Sequence, residues 1–166
     1  MTTEFVSLSE KQTITFAKNF AKNLLLPSVI SLGGDLGSGK TTFTKGLALG
    51  LGIKEIITSP TFTIMNEYEG EKGNLYHFDM YRLGSIEEAY ELGFEEYFSE
   101  KTMKGLVVCE WASNVYGILP KQIIEIDISK ISENERKIVI KIGLGEKWKI
   151  FCAYVPLLKI VWLLVL

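Results

Sequence analysis

One stretch of the sequence has the residue types and the spacing that hold a chain of phosphates. Residues 34–41 read GDLGSGKT, which fits the pattern G-x-x-x-x-G-K-[ST]. Glycines let the backbone curl so that successive N–H groups point at phosphate oxygens, and the following helix presents its positive N-terminal dipole to the same anion. Lys40 would reach the β- and γ-phosphates of ATP as a binding and catalytic residue, and the hydroxyl of Thr41 would bind Mg²⁺. The predicted nucleotide contacts of this P-loop (residues 34–41) and the next residue are Gly34, Gly37, Ser38, Gly39, Lys40, Thr41 and Thr42.

Two carboxylates that end apolar runs complete the predicted site. Glu110 ends the run LVVCE, and an acidic residue in this position beside a P-loop binds Mg²⁺ directly or through water. Asp79 ends the run that begins at Leu75, where it would orient or deprotonate an attacking water or support the metal. The plainer alternatives are an ordinary carboxylate at the end of a strand for Glu110 and a turn-forming residue for Asp79. We favour the metal role for Glu110 and the hydrolytic role for Asp79.

Three other residues have both a functional and a structural interpretation. Thr61 lies in the loop 59–63, which reads SPTFT, and it either senses the γ-phosphate or belongs to a plain proline-containing turn. His77, the only histidine, should share a strand face with Asp79, and a structural histidine is favoured over a catalytic base. Trp111 either packs near the nucleotide or belongs to the core.

Alternating strands and helices must position these residues. Ser9 and Gln12 form a capping box ahead of a helical apolar pattern that ends by Pro27, and Ser85 and Glu88 form a second box. A helix is predicted from Lys40 to about Leu51, stopped by Gly52, and a short one around 94–99. The predicted strands are Phe5–Val6, Val29–Leu32, Ile64–Tyr68, Asn74–Phe78, Leu106–Cys109, Ile123–Ile128 and Lys137–Ile142. This order predicts an α/β fold of three layers, a P-loop NTPase-like domain with a mixed parallel and antiparallel central sheet.

Composition narrows the classes of function. The chain has 166 residues, 47% of them hydrophobic, which suits a single P-loop ATPase domain over residues 1–150. Its net charge of −2 argues against a protein that grips nucleic acid unaided, because such affinity comes from lysines and arginines that neutralise phosphates. The chain has two arginines, Arg82 and Arg136, so each is of interest for phosphate recognition.

The remaining sequence features concern location and the end of the chain. Cys109 and Cys152 lie in apolar stretches, which predicts reduced core thiols. Residues 1–10 lack a signal pattern, which predicts the cytoplasm, with no membrane association. Residues 151–166 are an apolar C-terminal tail, shorter than the roughly 20 residues that span a bilayer. The tail is a buried strand or helix, a partner-binding or oligomerising segment, or a non-native or membrane-seeking end.

Four segments of the sequence together resemble the TsaE family. They are GDLGSGKTTFTKGLALGLGI, SPTFTIMNEY, YHFDMYRL and VCEW, in this order and spacing, and the match runs from about Glu4 to Gly145. A P-loop alone is common to many proteins, but the other three elements are specific. The usual late Gly-Arg of the family is Glu135-Arg136 here, and the apolar tail has no counterpart in the family pattern.

The resemblance implies a function and a set of roles. Members of the family are weak Mg²⁺-dependent ATPases that act with TsaD and TsaB, and they support threonylcarbamoyl transfer to adenosine 37 (t6A) of tRNAs reading codons that begin with A. The tRNA would be held mainly by that complex. By this likeness Thr41 and Glu110 bind Mg²⁺, Asp79 is tied to hydrolysis, and Thr61 lies in a switch-like loop. Thr13 and Arg136 match positions that frame the nucleotide base.

Three other functions compete with this interpretation. A small-molecule kinase is permitted by the length, but such kinases commonly cover the phosphates with an arginine-bearing lid, and only Arg82 and Arg136 could build one. A GTPase switch is disfavoured because the sequence lacks the N-K-x-D guanine motif. A membrane-anchored interaction module would rest on the apolar tail alone.

Overall fold

Seven strands form one mixed sheet in the computed structural model, which describes residues 1–99 and 101–142. The strands are β1 (Thr2–Ser7), β2 (Ser28–Gly33), β3 (Met65–Tyr68), β4 (Leu75–Asp79), β5 (Leu106–Glu110), β6 (Ile124–Lys130) and β7 (Arg136–Ile142). Their order across the sheet is β1-β7-β6-β2-β5-β4-β3. The central strands β6, β2, β5 and β4 are parallel to one another, whereas β7, β1 and β3 pair antiparallel at the two sides. The predicted mixed sheet is confirmed.

Helices cover both faces of this sheet. They are α1 (Glu10–Lys22), α2 (Lys40–Leu51), α3 (Ile86–Glu91) and α4 (Glu95–Phe98), with 3₁₀ helices at Met80–Arg82 and Ala112–Ile118. The buried residues of α1 and α2 share one apolar cluster with the β2 residues Ile30 and Leu32. Those of α3, α4 and the second 3₁₀ helix share a cluster with Phe78 and Cys109 on the opposite face. The three-layer α/β fold is therefore confirmed.

Both predicted capping serines cap their helices. The backbone N–H of Gln12 donates to Ser9 Oγ over 3.2 Å, and that of Glu88 donates to Ser85 Oγ over 3.4 Å. The reciprocal bonds reach one residue further back than in a capping box, because Gln12 Oε1 accepts from the N–H of Leu8 and Glu88 Oε2 from that of Gly84. The two bonds to the serine hydroxyls satisfy donors that the first turn of a helix leaves free, and so they set where α1 and α3 begin.

The structure differs from the predicted elements at their ends. β1 is longer than the predicted Phe5–Val6 because its whole length pairs with β7, from Thr2 opposite Lys141 to Ser7 opposite Arg136. The two 3₁₀ helices were not predicted. The first begins where Asp79 Oδ1 accepts the N–H of Tyr81 over 3.1 Å, a local bond with no apolar periodicity to reveal it.

α2, which carries the end of the P-loop, lies close against α1 because it presents two glycines to it. A Cβ on Gly46 would lie 2.5 Å from the carbonyl oxygen of Ile14 and 2.6 Å from Ala17 Cβ. A Cβ on Gly50 would lie 2.6 Å from Ala21 Cβ. The close approach fixes the position of α2 and therefore of the lysine at its first turn.

Residues 143–166 lie outside the described residues. The domain end at residue 150, the apolar tail and Cys152 therefore stay predictions. Cys109 is a free thiol buried in β5, as predicted. Burial, together with the neighbouring charges of Glu110 and Asp79, raises the pKa of this thiol far above its ordinary value. In the described part of the chain no helix is both long and apolar enough to cross a membrane.

We predict that Gly46→Ala lowers the free energy of unfolding by about 1–2 kcal/mol, although alanine is the better helix former, because its methyl group meets the backbone of α1. Urea unfolding followed by circular dichroism measures this change. Leu49→Ala, at a side chain 46% exposed on the same helix, is the control and should change stability by less than about 0.5 kcal/mol. Equal stability of Gly46→Ala and the unmodified protein would show that this contact does not set the helix spacing.

Candidate functional site

The P-loop connects β2 to α2 through a backbone that requires glycine. Gly34, Gly37 and Gly39 have φ values of 129°, 76° and 109°, in the region that side chains rarely adopt. A Cβ on Gly34 would also collide with the carbonyl oxygen of Ile128 in β6. Ser38 is 2% exposed, and its Oγ has no hydrogen-bond partner among the described residues. A buried hydroxyl without a partner inside such a loop suits an anion with oxygens to accept it.

Lys40 is a buried cation at the first turn of α2. Its side chain is 7% exposed, and Nζ donates to the carbonyl oxygens of Gly34 over 2.8 Å and Asp35 over 3.0 Å. Glu110 Oε2 lies 3.9 Å from Nζ, and the Trp111 ring centroid lies 5.2 Å from it. A buried ammonium must be compensated, and two neutral carbonyls with one loosely placed carboxylate leave room for a stronger anionic partner.

Both predicted carboxylates lie at the carboxyl end of the parallel strands, where Glu110 contacts this lysine. Asp79 in β4 and Glu110 in β5 are register partners, and Glu110 is also paired with Leu32 at the end of β2. Adjacent strands are about 4.8 Å apart, so the two carboxylates share one edge with the start of the P-loop. Both are buried. The tertiary structure thus places Asp79 opposite Glu110, and Glu110 3.9 Å from Lys40, at the edge where such sheets bind ligands.

The loop 59–63 contacts the site through Thr61. Its Oγ1 donates to Asp79 Oδ2 over 2.8 Å and lies 2.9 Å from Ser59 Oγ. The main chain adds a second link, because the N–H of Asp79 donates to the carbonyl of Ile64 over 2.9 Å. Ile64 has a φ of 66°, which is strained for a β-branched residue and costs on the order of 1–3 kcal/mol. The loop is therefore tied to the carboxylate at both its side chain and its backbone.

Trp111 and Arg136 also lie against the P-loop. Trp111, with a φ of 57°, follows β5 and packs its ring 5.2 Å from that of Tyr81 as well as near Lys40. Arg136 begins β7, and its Nε donates to the carbonyl of Ser38 over 2.7 Å. Its Nη1 donates to carbonyls of the preceding turn, those of Ser132, Glu133 and Glu135. The arginine thus joins the β6–β7 turn to the P-loop.

Thr13 and Thr42 lie less directly in the site. Thr13 is buried on α1, and its hydroxyl donates to Ser7 Oγ in β1 over 2.8 Å, so this hydroxyl joins a helix to a strand. Thr42 lies in the first turn of α2, next to Thr41, and both are partly exposed. The roles predicted for these residues stay predictions.

His77 makes a contact that the sequence did not predict. The ring is fully buried in β4, and Nε2 lies 2.9 Å from Glu110 Oε1 on the neighbouring strand. The alternation of side chains along β4 predicted that His77 shares a face with Asp79. The contact with Glu110 could not be predicted because it depends on the pairing of β4 with β5, and no local sequence pattern indicates which strand lies beside β4.

The arrangement has the donor set of a nucleotide site with Mg²⁺. Lys40 and the P-loop N–H groups suit phosphates, and Thr41 and Glu110 are the residues that could hold the ion. The residues that the structure describes contain no group of three or more His, Cys, Asp or Glu side chains able to hold a metal ion by themselves. Such a cage is not needed, because Mg²⁺ usually takes one or two protein ligands and completes its shell with phosphate and water.

We predict that Arg136→Met lowers the free energy of unfolding by about 1.5–3 kcal/mol, because the carbonyl of Ser38, a buried residue, loses its charged donor, and the more exposed carbonyls of the adjoining turn lose theirs as well. Denaturant unfolding measures the loss. The control is Lys137→Met on the same strand, which removes an exposed ion pair with Glu4 and should cost less than about 1 kcal/mol. Equal losses in the two variants would contradict a special role for Arg136.

Comparison with known proteins gives consistent matches over most of the chain. The family model described as threonylcarbamoyl adenosine biosynthesis protein TsaE matches residues 7–138. The tRNA threonylcarbamoyladenosine biosynthesis protein TsaE of Bacillus subtilis is 39% identical over 146 residues, which cover 88% of this chain and 89% of that protein. The protein of the same name from Rickettsia typhi is 40% identical over 134 residues, 80% of this chain and 90% of its own.

A solved structure shares the fold. The crystal structure of YdiB from Bacillus subtilis superimposes with a TM-score of 0.77 at 34% identity, and the match covers 96% of this chain and 97% of that one. The likeness therefore extends well beyond the P-loop.

Proposed function

We propose, since the chain belongs to the TsaE family of tRNA threonylcarbamoyladenosine biosynthesis, that it is the Mg²⁺-dependent ATPase of this modification. It would act with the partners TsaD and TsaB in threonylcarbamoyl transfer to adenosine 37 of tRNAs reading codons that begin with A. The observation that carries the ATPase proposal is the buried ammonium of Lys40 between P-loop carbonyls and Glu110. The phosphates of ATP would give this ammonium a stronger anionic partner than the carbonyls and the carboxylate at 3.9 Å.

Different residues of the chain would bind the phosphates, hold the metal ion and activate the attacking water. The P-loop N–H groups, Ser38 Oγ and Lys40 bind the triphosphate, with Lys40 exchanging its carbonyl partners for phosphate oxygens. Thr41 and Glu110 would hold Mg²⁺, which when bound neutralises charge on the phosphates. Asp79 orients the attacking water and accepts its proton.

Asp79 is held by the loop 59–63 and by the turn that follows β4. Its Oδ1 accepts the N–H of Tyr81 and its Oδ2 accepts the hydroxyl of Thr61. Each oxygen keeps a further lone pair that can accept a bond from the attacking water, and a turn of Thr61 would change the orientation of the carboxylate. Movement of the loop 59–63 would therefore couple the nucleotide state to a partner, and release of the strained Ile64 backbone would favour that movement.

Partners rather than this chain would hold the tRNA. The net charge of −2 gives little of the phosphate-neutralising surface that nucleic-acid affinity requires. We place the protein in the cytoplasm on the same proposal, because tRNA and ATP meet there.

A small-molecule kinase is the alternative, and the two arginines argue against it. Arg136 is held by the carbonyl of Ser38 and by the β6–β7 turn, and Arg82 stacks 4.5 Å above the ring of Phe62. Arg136 is thus committed to backbone carbonyls, and Arg82, on the exposed ring of Phe62, is the one arginine left to form a lid over the phosphates. Robust transfer of phosphate from ATP to a metabolite by the isolated protein would overturn the ATPase proposal.

We predict that Lys40→Met weakens ATP binding at least about 10-fold, because a charge-assisted contact with the phosphates is lost. Isothermal titration calorimetry with Mg²⁺–ATP measures the affinity. Lys54→Met, which removes an exposed lysine paired with Glu71, is the matched control and should bind ATP normally. Unchanged binding by Lys40→Met would exclude the P-loop as the nucleotide site.

We predict that Asp79→Asn binds ATP normally but loses about 10²–10⁴-fold in turnover, because the amide cannot accept the proton of water. Phosphate release is measured with and without TsaD, TsaB and tRNA. The assigned role of Asp79 is wrong if this variant hydrolyses ATP at the normal rate with all partners present. Absence of ATP hydrolysis by the unmodified protein under those conditions would refute the ATPase itself.

A further inference from the structure

We propose that His77 is a positioning residue, which holds the carboxylate of Glu110 in the orientation that Mg²⁺ binding requires. The inference rests on the proposed function, since it gives Glu110 a metal to bind. It assigns a role to His77, a buried polar side chain that has no part in the roles proposed for the P-loop, Asp79 and Thr61.

The two oxygens of Glu110 face different partners. Oε1 lies 2.9 Å from His77 Nε2, inside the protein, and Oε2 points toward Lys40 Nζ at 3.9 Å. Among the described residues, the contact with His77 is the one hydrogen bond that the Glu110 side chain makes. One oxygen is thus anchored by the imidazole, and the other is left on the side of the P-loop, where the phosphates and the ion would lie.

The imidazole is suited to this anchoring. A carboxylate oxygen can only accept, so Nε2 must carry the proton of the bond. The other ring nitrogen, Nδ1, is buried and has no partner among residues 1–99 and 101–142. The ring therefore makes one directed contact, and it makes that contact with Glu110.

Burial turns the contact into a constraint on orientation. His77 is fully buried and Glu110 is 3% exposed, so water cannot replace the bond, and the strand pairing of β4 with β5 fixes both backbones. Hydrogen bonds that orient a ligating side chain typically contribute about 10–100-fold to metal affinity. A long apolar side chain in place of the ring would leave Oε1 unpaired and Glu110 free to rotate.

The test is a matched pair of substitutions in the full chain. His77→Gln keeps an N–H donor near the Nε2 position, whereas His77→Met has nearly the same length and volume without a donor. Mn²⁺ affinity is measured by electron paramagnetic resonance in the presence of a slowly hydrolysed ATP analogue. Affinity for the same analogue is measured separately in EDTA, which removes the metal.

We expect His77→Met to weaken Mn²⁺ binding about 10–100-fold and His77→Gln to restore most of it, with metal-free nucleotide affinity unchanged in both. A merely structural histidine would lower the unfolding temperature without separating these two affinities. Normal Mn²⁺ affinity in His77→Met, beside normal binding by the unmodified protein, overturns this inference alone. An unmodified protein that binds no Mn²⁺ with the nucleotide overturns the proposed function, and this inference with it.

A second measurement does not depend on the variants folding. Because His77 is the only histidine of the sequence, a ¹⁵N–¹H spectrum of the untagged chain reports on this ring without assignment. We expect the proton to reside on Nε2. A ring with Nε2 unprotonated would overturn the inference, because such a nitrogen cannot donate to the carboxylate.

Discussion

A lysine ammonium buried at the edge of a sheet is the interaction on which the rest of the site depends. Removing a charge from water is costly unless other groups compensate it, and here the P-loop carbonyls and Glu110 do so. The carbonyls can serve only because the glycines allow the loop to fold back over the side chain. The loop conformation that accommodates the buried lysine also directs backbone N–H donors toward the space beside its ammonium group.

The direction of the central strands places the acidic groups opposite that lysine. In a parallel arrangement the carboxyl ends of neighbouring strands meet at one edge of the sheet. Asp79, Glu110 and the first residue of the P-loop therefore lie along the same edge. The antiparallel strand β7 then returns Arg136 to the loop from the other side. A purely parallel sheet would not bring a strand start to this edge, so the mixed topology has a direct consequence for the site.

The loop 59–63, which carries Thr61, connects the carboxylates at the sheet edge to the protein surface. It bonds to Asp79 through a side chain and through the backbone, and it holds Ile64 in a strained conformation. Strain of this kind persists only where the surroundings impose it. The exposed ring of Phe62, stacked under Arg82, lies in the same loop, so a change at Asp79 would reach the protein surface within a few residues.

Much of this protein was evident in the sequence because the decisive signals are local. The P-loop, both capping serines, the strand positions and the family resemblance follow from residue type and spacing, and the mixed α/β sheet and the family were confirmed. The order of the strands, the length of β1 and the 3₁₀ helices did not follow from local pattern. The bonds of His77 to Glu110, of Thr61 to Asp79 and of Arg136 to Ser38 were likewise decided only by the tertiary structure. Each joins residues far apart in the chain, and a local pattern specifies which face a side chain occupies but not which strand or loop lies beside it.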